Sequence, residues 1–353
     1  MDTKQYLDDA VRLLRQLIAT PRTSRDEGRA ADILFEQMTQ WNLCPHRVGN
    51  NVWAVAPGYD EHRPTLLLNA HIDTVKPVAT WTRDPFLPTI EGDCLYGLGS
   101  NDCGGGLMSL LQVFRILGSH LSAVSYNLVY LASCEEEVSG REGIVLALPF
   151  LPKIDVAIVG EPTGMQPATA EKGLMVIDGY AQGVSGHAAR DEGVNAIYEA
   201  LDDLVWLRDY RFQRVSRLLG PSKMSVTVVE AGTQHNVVPD HLHFIIDVRT
   251  NELYRNEEVF EFLQRNMKKC SLKARSFRLH SSSIDHSHPL VQRCIAMGLQ
   301  PFGSPTLSDQ ALMPFPSLKL GPGLSSRSHS ADEYIRLSEM ADALEKYLTL
   351  LAS

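Results

Sequence analysis

Three short runs of the chain, TLLLNA (65–70), YNLVYLA (126–132) and DVAIVG (155–160), are apolar at nearly every position rather than at every second one. A strand of this kind keeps no face for water, so both of its sides must be covered. Between the runs, apolar residues recur at helical spacing, which predicts helices over 3–19, 26–40 and 105–118. Strands that alternate with helices call for an α/β fold, a mostly parallel sheet flanked by helices.

The pattern changes near residue 172. LMVIDGYAQG reads as a strand, 193–210 as a helix, KMSVTVVEAG and DHLHFIIDVRT as a strand pair, 255–268 as a helix and 274–283 as a strand. That order, β-α-β-β-α-β, is the ferredoxin-like split unit. Helix, strand (PSLKLG, 316–321) and a long closing helix then resume. The expectation is a discontinuous α/β domain, 1–171 and 284–353, with an α+β ferredoxin-like domain inserted at 172–283.

Charge and cysteine usage exclude several classes. Lysine and arginine total 33 against 42 acids, a formal net charge of -9, and no long basic run occurs. Nucleic acid is not an expected partner. No stretch approaches the roughly 20 apolar residues of a membrane span. The first twenty residues read as an amphipathic helix carrying Leu7, Val11, Leu14, Leu17 and Ile18, not as an export signal. Six cysteines without a C-x-x-C pair point to reduced thiols in the cytoplasm, each a small buried apolar residue.

Chemistry enters where the strands end. The first run delivers His71 and Asp73, the second Glu135, Glu136 and Glu137, the third Glu161, and PSLKLG leads on to His329. Ligands of open α/β sheets gather beyond the carboxyl ends of the strands. Beside them stands GLGSNDCGGG (97–106). A dinucleotide fingerprint from Gly97 needs glycine where Asp102 stands, and a P-loop needs Lys-Ser/Thr where Leu107 follows Gly106. Taken singly, each residue has a plain explanation: a hydrogen-bonded histidine, a solvated glutamate run, a turn acid before Pro162. Together they crowd negative charge at one edge, which calls for a cation. Two histidines with carboxylates and no cysteine suit zinc, manganese or cobalt, and a carboxylate such as Asp102 can bridge two ions about 3.5–4 Å apart. The glycines would let Asp102 reach a crowded centre.

HIDTV, GLGSNDCGGG, EEEVSGREG, GEPT, GVSGHAARDEGVNAI and SHSADEY occur in this order over nearly the whole chain. The sequence resembles the acetylornithine deacetylase and succinyl-diaminopimelate desuccinylase family of di-zinc amidohydrolases, to which aminoacylases and several exopeptidases belong. The resemblance implies a zinc-peptidase-like catalytic domain with an inserted dimerisation or lid domain. It implies two divalent ions, zinc or cobalt, one held by His71, Asp102 and Glu161 and the other by Asp102, Glu137 and His329. Asp73 would orient His71, and Glu136 would be the general base that deprotonates a metal-bound water. The family pattern is Asp-Glu-Glu where this chain has three glutamates, and EEVSGREG sets the register. His187 would polarise the scissile carbonyl in the partner subunit's site, making the protein a homodimer through the inserted domain. Its plain alternative is a surface histidine. Asn236 and Arg249 match substrate-facing positions; for Arg249 a structural salt bridge stands as an equal alternative. His235, His241 and His243 are not expected ligands.

The implied reaction removes an acetyl or succinyl group from an amino acid, N-acyl-ornithine or N-acyl-citrulline on the route to arginine. Desuccinylase-type members carry Gly-Gly-Thr-Ser-Asp and an asparagine four residues before the last histidine, where this chain has SPTLSDQ (304–310) and Ser325. A metallo-dipeptidase or general aminoacylase is the alternative, and a non-catalytic metal-binding module the remote one.

Overall fold

The computed structural model describes residues 3–120, 124–190 and 192–352. The chain divides into two compact units. One comprises Met1–Thr169, Ile284–Phe302 and Ser308–Ser353, the other Ala170–Ser283 and Gly303–Leu307.

In the first unit the strands Asn127–Ser133, Thr65–His71, Val156–Val159 and Ser317–Lys319 lie side by side in that order, all parallel and buried at every residue. His71 is level with Ser133, and Asn69 with Val159, so these strands finish along a common edge. The helix Gly105–Gly118 is buried over most of its surface, as its run of leucines requires, while Lys4–Ile18 buries one stripe, the apolar Ala10, Leu13, Leu14, Leu17 and Ile18 with Asp9 beside them. Each such leucine contributes about 2 kcal/mol on burial.

Sequence periodicity did not show the antiparallel flank. His46–Val48 and Asn51–Val55 form a hairpin through Gly49, which has a φ of 57°, and the second strand pairs with Asn127–Ser133. Strands of three and five residues at a sheet edge are too short to leave a periodic signal. The same holds for the small sheet of Thr89–Glu91, Cys94–Tyr96 and Tyr334–Arg336.

The second unit runs strand Met175–Gln182, helix Ala196–Asp209, strands Lys223–Ala231 and His241–Arg249, helix Asn256–Asn266 and strand Ser271–Ala274. The sheet is antiparallel, with Lys223–Ala231 at one edge, then His241–Arg249, Met175–Gln182 and Ser271–Ala274. Leu242, Phe244, Ile246 and Val248 join Met175, Ile177 and Ala181 in the core with the two helices. The strand expected at 274–283 is misplaced. It occupies Ser271–Ala274, and Phe277 leaves the ladder to pack edge-on against Phe260 at 5.3 Å. Ser282–Ser283 pairs instead with Ala170 and Glu171. Among the cysteines, Cys44 is exposed and Cys94 half-buried, contrary to the reading of all six as buried; the other four are buried and all six are free thiols. Among the described residues no helix is long and apolar enough to cross a membrane.

Candidate active site

His71 closes its strand, and its Nδ1 lies 2.9 Å from the carbonyl oxygen of Asp73. That contact turns Nε2 toward a set of carboxylates: Asp102 Oδ1 at 3.2 Å, Glu161 Oε1 at 3.6 Å and Glu136 Oε2 at 3.9 Å. A histidine whose Nδ1 proton is so engaged offers Nε2 as a metal donor. The Asp73 carboxylate sits 3.5 Å from Nδ1 and has further partners. It accepts from the backbone N–H groups of Glu136 and Glu137 at 3.1 and 3.2 Å and from Ser24 Oγ at 2.7 Å. Asp73 therefore fixes both His71 and the start of the glutamate loop.

That loop separates its three acids. Glu135 turns back to accept from Glu142 N–H, Glu136 faces His71, and Glu137 Oε2 lies 2.8 Å from His329 Nε2. Asp102 stands between the histidines, Oδ1 toward His71 and Oδ2 3.6 Å from His329 Nε2. So the carboxylate of Asp102 presents one oxygen to each side of the cluster.

The loop carrying Asp102 is held by a residue that sequence reasoning missed. Glu333, 2% exposed, accepts from the N–H groups of Gly99 (3.0 Å), Asn101 and Asp102 (both 2.8 Å). Burial, with Asp102 nearby, pushes its carboxyl up to about 7. Arg22, equally buried, donates to the carbonyls of Ile72 and Gly99. Gly99 has a φ of +72°, and a Cβ there would come within 2.6 Å of Arg22. Asp309 is the other omission: Ser133 Oγ donates to it at 2.5 Å, and burial pushes it up to about 6. Both acids were visible in the sequence, in SHSADEY and SPTLSDQ, without a signal of what they hold.

The donor set fits divalent cations. Glu161 Oε1 is buried with no hydrogen-bond partner although it faces the cluster. Burial and the neighbouring Asp102 push Glu161 up to about 8; burial, with Glu161, Asp309 and Glu137, drives Glu136 well above the carboxylate range. Added positive charge would relieve this crowding. Donor atoms of His71, Asp102 and Glu137 lie within 4.8 Å of one another, as do those of His71, Cys103 and Glu161. Burial pushes the Cys103 thiol up to about 12, so it stays protonated and is a poor ligand.

His187, Asn236 and Arg249 all lie in the second unit. His187 is exposed, its Nδ1 accepts from Ala189 N–H at 3.1 Å, and the Asn236 carbonyl accepts from Ala188 N–H at 3.0 Å, tying the two loops together. Their chain neighbours Ala188 and His235 line a cleft of about 900 Å³ together with Arg190 and Tyr198 among others. Arg249 is paired with Asp247, Nε to Oδ1 at 2.8 Å and Nη2 to Oδ2 at 3.0 Å. His243 is engaged by Asp178 at 2.9 Å, and His241 lies near the ring of Tyr180.

The profile of peptidase family M20/M25/M40 matches residues 67–353. An acetylornithine deacetylase of Proteus mirabilis is 27% identical over 93% of this chain and 92% of its own length. A succinyl-diaminopimelate desuccinylase of Delftia acidovorans is 24% identical over 83% of this chain and 77% of its own. In fold the chain is similar to an aminopeptidase PepT from Bacillus cereus (TM-score 0.77, 17% identity, 98% of each chain). It is equally similar to a dinuclear metal-binding peptidase of Bacillus subtilis (TM-score 0.77, 17% identity, 99% of this chain and 98% of that one). The chain is therefore an enzyme belonging to peptidase family M20/M25/M40.

Proposed function

We propose that the enzyme hydrolyses the amide of an N-acyl amino acid, releasing acetate or succinate from ornithine or citrulline on the route to arginine. The observation that carries this reading is Asp102 set between His71 and His329 with the largely buried Glu136 side chain, 10% exposed, alongside. The similarity to acetylornithine deacetylases over 93% of the chain supports the choice of substrate class.

On this reading His71, Asp102 and Glu161 hold one divalent ion and Asp102, Glu137 and His329 a second, zinc or cobalt. When bound, such ions polarise the scissile carbonyl and acidify a water. Glu136 takes a proton from the attacking water and hands it to the leaving nitrogen. Its environment suits that role, because burial and the facing acids make the protonated form accessible. Arg249 would exchange Asp247 for a substrate carboxylate, which its planar fork matches, and Asn236 would hydrogen-bond the substrate. His187 would steady the carbonyl oxygen in a partner subunit's site. A homodimer is supported by the free edge of Lys223–Ala231 and by Tyr198, Leu201 and Val205, exposed on the helix Ala196–Asp209. The free thiols support a cytoplasmic setting.

Amine release from N-acetyl and N-succinyl forms of ornithine and citrulline, succinyl-diaminopimelate, an acetylated neutral amino acid and a dipeptide tests the proposal. Turnover is expected on one ornithine or citrulline derivative, lost on chelation and restored by zinc or cobalt. Cleavage of the dipeptide alone would move the enzyme to the peptidase reading, and no turnover with metal bound would favour a binding module. In the active assay, His187→Ala should lower kcat by about 100-fold with metal content unchanged, the cost of one lost oxyanion donor. An unchanged kcat would leave His187 a surface histidine.

A further inference from the structure

A cavity of about 580 Å³ opens in the first unit, between the helix Lys4–Ile18, the chain that follows the helix Gly28–Gln40 and the last turn of the helix Gly105–Gly118. Tyr6, Trp41, Leu43, Val55 and Phe114 give it an apolar wall. Gly118 lines it at one end of the third helix, while Gly105, close to Asp102, stands at the other end, about 20 Å away at 1.5 Å per residue. The cavity therefore does not belong to the acid cluster.

Small-molecule sites of this volume are mostly apolar, with a few placed polar groups that orient the ligand. Here the placed group is Arg115. Its guanidinium carbon lies 4.4 Å from the centre of the Trp41 ring and 5.0 Å from that of Tyr6. Stacking against two rings fixes the plane of the guanidinium and leaves its edges for hydrogen bonds. Nη1 is used, donating to Asp9 Oδ2 at 2.7 Å and to Gln112 Oε1 at 3.4 Å. The other oxygen of Asp9 accepts from Arg12 Nη2 at 2.9 Å. Two guanidiniums thus share one carboxylate, which leaves a net positive charge. Among the described residues Nε and Nη2 of Arg115 have no acceptor. That pair of donors is the fork that takes a carboxylate through two parallel hydrogen bonds.

We propose that this cavity binds an aromatic monocarboxylate, its ring within the apolar wall and its carboxylate on the Nε and Nη2 edge of Arg115. The site goes beyond the deacylase reading and does not depend on it. A cation would be repelled by Arg12 and Arg115. Phosphate or acetate would leave the wall unfilled, and a neutral aromatic would leave the fork without an acceptor. Three rings in the wall favour an aromatic body.

The cavity carries its own reporter. Cys44 lines it and is an exposed free thiol, whereas the half-buried Cys94 lies outside the lining. The test follows alkylation of each cysteine by iodoacetamide, read by peptide mass spectrometry, on the metal-loaded enzyme at rising 3-phenylpropionate. 3-Phenyl-1-propanol serves as the neutral match and acetate as the anion without a ring. 3-Phenylpropionate should slow alkylation of Cys44 several-fold and saturably, leaving Cys94 unchanged, and acetate should give no protection over the same range. The alcohol should need about ten times the concentration, the effect of one charge-assisted hydrogen bond. Arg115→Met should weaken protection by the carboxylate about tenfold and leave that by the alcohol as it was. Gly118→Leu tests the cavity without touching the ion pairs. A Cβ at Gly118 meets only Ala56, at 3.7 Å, so the longer side chain fits and fills the space. This variant should lose protection by both compounds. Equal protection by the alcohol and the carboxylate would overturn the proposal, since the cavity would then hold no anion site. Protection that survives Gly118→Leu, or no protection of Cys44 at all, would overturn it as well. Each result is read from binding alone and holds whether or not an acyl amino acid is turned over.

Discussion

Replacing Glu136 by alanine should cut turnover about 10³- to 10⁴-fold, the usual contribution of a general acid–base group, while leaving the metal content and the melting temperature close to those of the parent enzyme. The three glutamates make this a sharp comparison, because the fold sends them in three directions. Glu135 is tied to the backbone of Glu142, so Glu135→Ala should act on stability and little on kcat. Glu137 lies 2.8 Å from His329, so Glu137→Ala should lose metal before it loses anything else. Glu136 is the one whose carboxylate faces His71 at 3.9 Å while its backbone N–H is pinned by Asp73 at 3.1 Å. Removing its side chain also lowers the count of crowded acids, so the protein loses no net stability on that account. Steady-state kinetics, metal analysis and thermal melts on the three variants separate the roles. If Glu136→Ala kept its turnover and Glu135→Ala lost it, the register of the loop would be wrong by one residue and the mechanism with it.

Four of the site residues expected from the sequence share one property: they close or follow strands of the parallel sheet. TLLLNA, YNLVYLA and DVAIVG are legible because burial on both faces leaves an unbroken apolar run, and the residue after such a run stands at the ligand edge. His71, Glu136, Glu137 and Glu161 were found that way. Glu333 and Arg22 were not, since neither offers its charged group to the cluster. They hold the backbone of the Asp102 loop, Glu333 from 231 to 234 residues away along the chain, and no local pattern records so distant a contact. Asp309 was passed over for a similar reason, because its partner Ser133 is 176 residues away. The hairpin at 46–55 escaped because short edge strands do not need a buried face on every residue.

The glycines of GLGSNDCGGG can be tested by one methyl group. Gly106 opens the helix Gly105–Gly118, and a Cβ built there would lie 1.7 Å from the carbonyl oxygen of Gly160, 2.6 Å from its carbonyl carbon and 3.0 Å from its Cα. All three are backbone atoms, and Gly160 is itself held by its N–H bond to Asn69 at 2.8 Å, so no side chain can swing away to relieve the clash. The helix or the strand end must move by about 1 Å or more. One displacement shifts the loop that carries Asp102, the other shifts Glu161, which follows Gly160 directly. Gly106→Ala should therefore cost about 3 kcal/mol or more, the upper end of overpacking in a filled core, and lower the melting temperature by about 5–10 °C. Metal affinity of the remaining folded protein should fall as well. Gly118→Ala is the control on the same helix, because its Cβ would meet Ala56 at 3.7 Å, an ordinary contact. There the gain in helix propensity, about 1 kcal/mol at most, should leave the enzyme as stable as before or slightly more so. Melting curves and metal titrations on the pair give the answer. Matching behaviour of the two variants would mean that the close approach of Gly106 to Gly160 does not position the site, and that these glycines serve only the turn at Gly99.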